Sequence, residues 1–272
     1  LLVQLDSVFP EPQFLNWGQC RRMLPQVLAM AGHIQRFCIT SVAAGRLLHR
    51  AGHFLNDQGE YAEASQLCQR ALAIRQEVLG DQHLDVAHSL KGLGVVLKNQ
   101  GRLTEAEALF RRALTIREQA LGSEHPDVAD ILNYLGRLLK NQGRQGDAEQ
   151  LHRRALMVVE NAIGSEHVEV AHCLSNLVAV LRKQGKLTEA EALGRRALFI
   201  LERALDDKHP NIAHGLHDLG LLLWEQGRFK EAEPLYRRAL AIREQVLPSG
   251  HPRIDFLRRK LEELTPNADR SG

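Results

Sequence analysis

Five histidines, His83, His125, His167, His209 and His251, recur 42 residues apart, and imidazole is the commonest transition-metal ligand. Ligands of one ion must converge within a few ångströms. Side chains at equivalent places of successive repeats do not converge, so the series reads as turn residues. The pairs Arg111/Arg112, Arg153/Arg154, Arg195/Arg196 and Arg237/Arg238 would make a basic ladder for nucleic acid. Glu107, Glu149, Glu191 and Glu233, however, each stand four residues before the first arginine of a pair. That orientation favours helical ion pairs worth roughly 0.2–0.5 kcal/mol each, and a solvated, charge-paired face follows. The segment GKLT (185–188) ends like a phosphate loop but lacks the earlier glycine and the preceding strand. Cys20, Cys38, Cys68 and Cys173 show no C-x-x-C spacing; they form neither a disulfide framework nor a zinc site, and suit a reducing compartment. No repeat-equivalent set converges as acid/base or nucleophilic catalysis requires. The expectation is no enzyme, no metal and no cofactor.

The elements that carry these residues are set by a period. Gly59, Gly101, Gly143, Gly185 and Gly227 keep the same 42-residue spacing, the signature of a repeat array. Val86, Leu90, Leu93 and Leu97 recur at helical intervals before Gly101, where a left-handed residue would end the helix. Leu103, Ala106, Leu109, Phe110, Ala113, Leu114 and Ile116 give a second apolar face, running to about Leu121 before the turn GSEHPD. Pro126 suits the first turn of the next helix, where its missing N–H costs nothing. The unit is a helical hairpin that buries its apolar face on its neighbours. A 5% aromatic share without alternating Val/Ile/Thr runs argues against sheet, and a formal charge of +2 demands neither nucleic acid nor an anionic membrane. No stretch approaches the roughly 20 apolar residues of a membrane span. Soluble, cytoplasmic placement is expected.

Leu93–Gly94, Leu135–Gly136 and Leu219–Gly220 in the first helix, with alanines at 64, 106, 148, 190 and 232 and at 71, 113, 155, 197 and 239 in the second, resemble the tetratricopeptide repeats. The 42-residue period and the ALGSEHPDVA linker resemble the kinesin-light-chain type, over about residues 43–254. The resemblance implies an all-α, right-handed α-solenoid of five hairpins: 43–84, 85–126, 127–168, 169–210 and 211–250. Val178 for the small residue, and His152 and Gly194 for the large apolar one, depart from the pattern and predict looser packing in repeats 3 and 4. Residues 1–42 resemble the segment joining NB-ARC or STAND-type ATPases to C-terminal repeats and are expected to form a helical linker or cap. Residues 251–264 read as a solvating cap helix, and 265–272 as a frayed tail.

In this family the first helix of each hairpin lines a concave groove. By the repeat pattern the lining includes Arg46, His49, Arg50 and His53, then His88, Lys91 and Lys98, then Asn133, Arg137 and Lys140, then His172, Asn176, Arg182 and Lys183. His214, His217 and Trp224 extend it into repeat 5. A concavity of one sign of charge focuses potential, so the expected partner is a protein or an extended, acidic peptide segment. Asn133 and Asn176 resemble the family's groove asparagines, whose amides hold a peptide N–H and C=O. Two other readings are the sensing or autoinhibitory arm of a larger NB-ARC/STAND signalling ATPase, and nucleic-acid binding. The latter is disfavoured by the period, the near-neutral charge and the few groove aromatics.

Overall fold

The computed structural model describes residues 1–12, 16–246 and 250–268, with side chains to residue 263. These residues hold thirteen helices and no strand. Two compact units divide the chain, Leu1–Leu138 and Leu139–Gly272. Unit 1 contains α1 (Leu2–Val8), α2 (Trp17–Arg36), α3 (Val42–Gln58), α4 (Tyr61–Leu79), α5 (Leu84–Asn99), α6 (Leu103–Leu121) and most of α7 (Pro126–Asn141). Unit 2 contains the end of α7, α8 (Gln145–Ile163), α9 (Val168–Lys183), α10 (Leu187–Ala204), α11 (Pro210–Glu225), α12 (Phe229–Val246) and α13 (Pro252–Ala268). Within unit 1, α3 packs on α4, α4 on α5, and α5 on α6. Unit 2 repeats the scheme from α8 to α13. Consecutive helix-pair packing of this kind is that of a tetratricopeptide-type solenoid.

The turn inside each hairpin is made by backbone chemistry that the periodic glycines permit. Gly101 has φ +80°, and its N–H reaches the Lys98 carbonyl at 3.0 Å while Arg102 N–H reaches Leu97 O at 2.9 Å. That pairing satisfies two orphan carbonyls of the helix end, a Schellman closure. The same pairs of bonds close the helices before Gly59, Gly143, Gly185 and Gly227, all with positive φ.

The periodic histidines prove to be helix caps. Nδ1 of His83, His125, His167, His209 and His251 accepts the backbone N–H two residues on, at 3.0, 3.1, 3.2, 3.1 and 3.2 Å respectively. An imidazole thus does the work usually given to Ser, Asp or Asn, satisfying one of the donors that a helix start leaves open.

Both alanine series of the second helices are buried, as is the leucine of each matched first-helix pair. Closeness is the reason for the small residues: a Cβ on Gly94 would come within 2.7 Å of Phe110 Cε1, and one on Gly220 within 2.8 Å of Tyr236 Cε1. Repeat 4 corrects the expectation of loose packing. There the sizes are exchanged, with Val178 on the first helix facing Gly194 on the second, and a Cβ at Gly194 would meet only Leu222, Leu219 and Val178 at 3.7–3.9 Å. Leu177, Val178, Leu181, Ala190 and Leu222 close the space, with Leu156, Leu187 and Leu193 against them. In repeat 3 the imidazole of His152 is itself fully buried.

A second repeated device joins hairpins. Arg75, Arg117 and Arg243 are buried on the second helix, and each Nη1 donates to the carbonyl ten residues on: Asp85 at 3.1 Å, Asp127 at 2.6 Å and Arg253 at 3.3 Å. Arg75 also reaches Ser89 Oγ at 2.8 Å, and burial lowers the pKa of Arg75 and Arg243. Val159 and Leu201 stand at this place in the third and fourth repeats. The final helix differs from its expected bounds: α13 continues through 265–268 to Ala268, and residues 269–272 lie outside the described residues. No helix among the described residues is long and apolar enough to cross a membrane.

Candidate functional site

In unit 1 the first helices of successive hairpins face one cleft of about 230 Å³. His49, His53, Asn56 and Asp57 come from α3, His88, Lys91 and Val95 from α5, Tyr134 from α7, and Glu11 and Pro12 from the segment after α1. Four residues expected to line the groove are therefore brought together: His49, His53, His88 and Lys91. Gly92 makes the room. A Cβ there would come within 2.6 Å of His49 Cε1 and 2.7 Å of His53 Nε2.

The three imidazoles form a cluster, with His49 ring centroids 4.6 Å from His53 and 4.5 Å from His88. Burial pushes the pKa of His49 well below its ordinary value, aided by His53 and His88. Burial also lowers His53, and takes His88 down to about 4 with help from Lys91. The trio is neutral at pH 7, and His49 Nδ1 and His53 Nε2 have no protein hydrogen-bond partner. A neutral imidazole nitrogen can accept from a peptide N–H or donate to a peptide carbonyl, according to its tautomer.

The charge on this face is less uniformly basic than the sequence suggests. Lys91 is bound at 2.9 Å by Asp130, which also lies 3.4 Å from Arg117. Lys91 Nζ also stands 5.4 Å from the ring centroid of Tyr134, and the Arg137 guanidinium 5.9 Å from it, within cation–π range. Lys98 and Arg137 have no carboxylate partner among the described residues. The Lys98 ammonium is lowered by burial first and by the Arg137 charge second.

Arg50 is not an open groove residue, and Arg46, though exposed, is already paired. The carboxylate of Asp6 binds both guanidiniums, Arg46 Nε at 3.0 Å, and Arg50 Nη2 donates to the Asp6 carbonyl at 2.9 Å. Arg50 also donates to the Phe9 carbonyl, and both Asp6 and Arg50 are buried. The chain before the repeats thus packs on α3. Asp6 gave no periodic signal, and neither did Tyr134, which stands in register with Gly92 and Asn176. An aromatic at a first-helix position where the other repeats carry none was the available clue.

In unit 2, Arg182 is paired with Glu225, while His172 lies 3.4 Å from Glu169 and 3.1 Å from Asn211. Lys183 is exposed, and Lys140 and Asn176 are half-buried. Asn133, half-buried on α7, precedes Asn176 by 43 residues, one more than the repeat. One residue is about 100° around a helix, so these amides occupy different rows. His217 and Trp224 are packed by α13: His217 lies 5.2 Å from Phe256 between ring centroids, and Lys260 Nζ sits 4.2 Å over Trp224.

The arginine pairs lie in a charge lattice, as their spacing implied. Arg111–Glu107, Arg153–Glu149, Arg195–Glu191 and Arg237–Glu233 close at 2.6–2.8 Å. In unit 2 the lattice crosses hairpins through Lys186–Glu149 and Arg228–Glu191, at 2.8 and 2.6 Å. Hydrogen bonds from Lys186, then Arg153, hold Glu149 down to about 2. These arginines are committed to carboxylates rather than offered to phosphates.

Residues 44–119, 92–161, 146–201 and 169–245 each match the tetratricopeptide repeat, together covering 44–245. The chain belongs to the tetratricopeptide repeat family. Arrays of this family are in general scaffolds for protein–protein interaction, without enzymatic activity of their own. In fold the chain is similar to BtubC (BKLC) from P. vanneervenii, with TM-score 0.66 and 22% identity over 87% of this chain and 92% of that one. It is also similar to the kinesin light chain-like, nearly identical TPR-like repeats of Podosopora anserina, with TM-score 0.65 and 23% identity over 78% of this chain and 100% of that one. A singly substituted form of those repeats gives 0.64 and 24%, over 74% and 94%. No curated protein sequence matches.

Proposed function

We propose that this tetratricopeptide array is a cytoplasmic interaction module whose unit 1 cleft takes an extended peptide segment bearing acidic side chains. The observation that carries the reading is the pair Lys98 and Arg137, two cations on first helices that have no carboxylate partner among the described residues; burial first, and the Arg137 charge second, lower the affinity of Lys98 for its proton. A carboxylate brought between them relieves that repulsion and forms charge-assisted hydrogen bonds. Tyr134, whose ring centroid is 5.9 Å from the Arg137 guanidinium, supplies a flat wall of the cleft that His49 and His53 also line.

A second reading has its own observation. Chain preceding the repeats already lies on α3, with Asp6 on Arg46 and Arg50. This favours an array that receives its own upstream sequence, as an arm of a larger NB-ARC/STAND-type ATPase would. A phosphate-loop motif encoded upstream of Leu1 would support that context, and its absence would count against it.

The test of the first reading is selection from a displayed library of short peptides at moderate salt. Acidic peptides should be enriched, and their affinity should fall more than tenfold, about 1.4 kcal/mol, in Lys98→Glu/Arg137→Glu. Enrichment without charge preference, or insensitive to that double change, would refute the acidic-peptide reading.

A further inference from the structure

Unit 2 carries a group of side chains that the peptide reading does not use. His214, His217 and Asp218 stand at i, i+3 and i+4 on α11, so they share one face of the helix. Their ligand atoms all lie within 4.8 Å of one another. Asp218 Oδ1 is 3.1 Å from His217 Nδ1 and 3.7 Å from His214 Nδ1. Around a tetrahedral ion with bonds of about 2.0–2.1 Å, ligand atoms are separated by roughly 3.3 Å. The two separations from Asp218 bracket that value, and the ligand atoms of the two imidazoles lie within 4.8 Å of each other.

We propose that His214, His217 and Asp218 form a site for a borderline divalent cation, with Zn²⁺ as its fitting occupant. Two imidazoles and one carboxylate are a donor set suited to Zn²⁺ or Ni²⁺ rather than to Ca²⁺ or Mg²⁺, which take all-oxygen shells. Three protein ligands leave a fourth position for water or an incoming group. A cleft of about 300 Å³ lies beside the cluster, lined by His214, His217, Arg243, Pro252, Arg253 and Phe256. His217 is held in place by Phe256 and by Tyr236, at 5.2 and 6.3 Å between ring centroids. His214 is exposed, with its Nδ1 already turned toward Asp218. Arg243 and Arg253 oppose a dication, which sets the affinity below that of closed structural zinc sites. The three neutral histidines of unit 1 form no comparable group: the ligand atoms of His214, His217 and Asp218 alone meet this spacing among the described residues.

The site is tested on the chain 1–272, freed of metal with a chelator and titrated calorimetrically with ZnCl₂ at pH 7.5. His214→Ala is the clean variant because the side chain is exposed; Asp218→Asn keeps the shape and removes the charge. Both should match the parent in helical circular dichroism and melting temperature without metal. The parent should bind one Zn²⁺ more than either variant, or bind it more tightly than they do by over the roughly 10- to 100-fold that losing an outer-shell partner costs. Zinc binding that is absent from the parent, or equal in parent and both variants, overturns the proposal. So does binding of inorganic phosphate in place of zinc, since that would make Arg243 and Arg253 the centre of an anion site.

Discussion

Gly94 on α5 lies against the ring of Phe110 on α6, so close that a Cβ would come within 2.7 Å of Cε1 and 3.0 Å of Cδ1. Phe110 is fully buried. Gly94→Ala should therefore destabilise the chain: overpacking costs about 1–3 kcal/mol, which exceeds the gain of up to about 1 kcal/mol from better helix propensity. Gly194→Ala should do the reverse, because its Cβ meets methyl groups only at 3.7–3.9 Å. The urea midpoints of the two variants should move in opposite directions at unchanged slope.

The buried pair Asp6–Arg50 fastens α1 to α3. In Asp6→Asn the guanidinium of Arg50 loses its counter-charge in a buried setting, where breaking such a pair costs about 3–5 kcal/mol. The loss should be local. Hydrogen-exchange protection should fall across Leu2–Val8 and hold in α5 and α6; unchanged protection in α1 would show that the ion pair does not secure it.

Acid should weaken unit 1 before carboxylates titrate. Burial takes His88 from its ordinary 6.5 down to about 4 and lowers His49 and His53 as well. Between those two pH values the unfolded chain binds protons that the folded chain refuses, so stability is full above about 6.5 and declines as pH falls toward 4. For His88 alone the loss reaches at most on the order of 3 kcal/mol. His88→Gln should flatten the dependence of the urea midpoint on pH between 7 and 5; a slope equal to the parent's would contradict the assignment.

Cysteine reactivity should be confined to one thiol. Cys38 is exposed, whereas Cys20, Cys68 and Cys173 are buried, and burial pushes Cys68 up to about 12. An aromatic disulfide reagent at pH 8 should modify one thiol in the native protein and four in urea, and Cys38→Ser should abolish the native reaction.

The residues legible in the sequence were those whose role is local and therefore repeats. Gly101 needs a left-handed backbone whatever surrounds it, His83 and its equivalents start helices, Ala106 and Ala113 sit where two helices touch, and Glu107 reaches Arg111 along one helix. A period of 42 residues displays each of these several times, and so the hairpins and the family followed from the chain alone. Tertiary structure decided what depends on neighbours that no period links. Lys91 faces a groove by its position, but Asp130 neutralises it; Asp6, some 40 residues earlier, pairs with both Arg46 and Arg50 and is buried with the second. Val178 and Gly194 read as two defects and prove to be one exchange of volume. Helical periodicity states which way a side chain points. Only the packed chain settles which charge or methyl group waits there, because contact energies fall away within a few ångströms, exposed charges are screened beyond about 10 Å, and both depend on residues far apart in sequence.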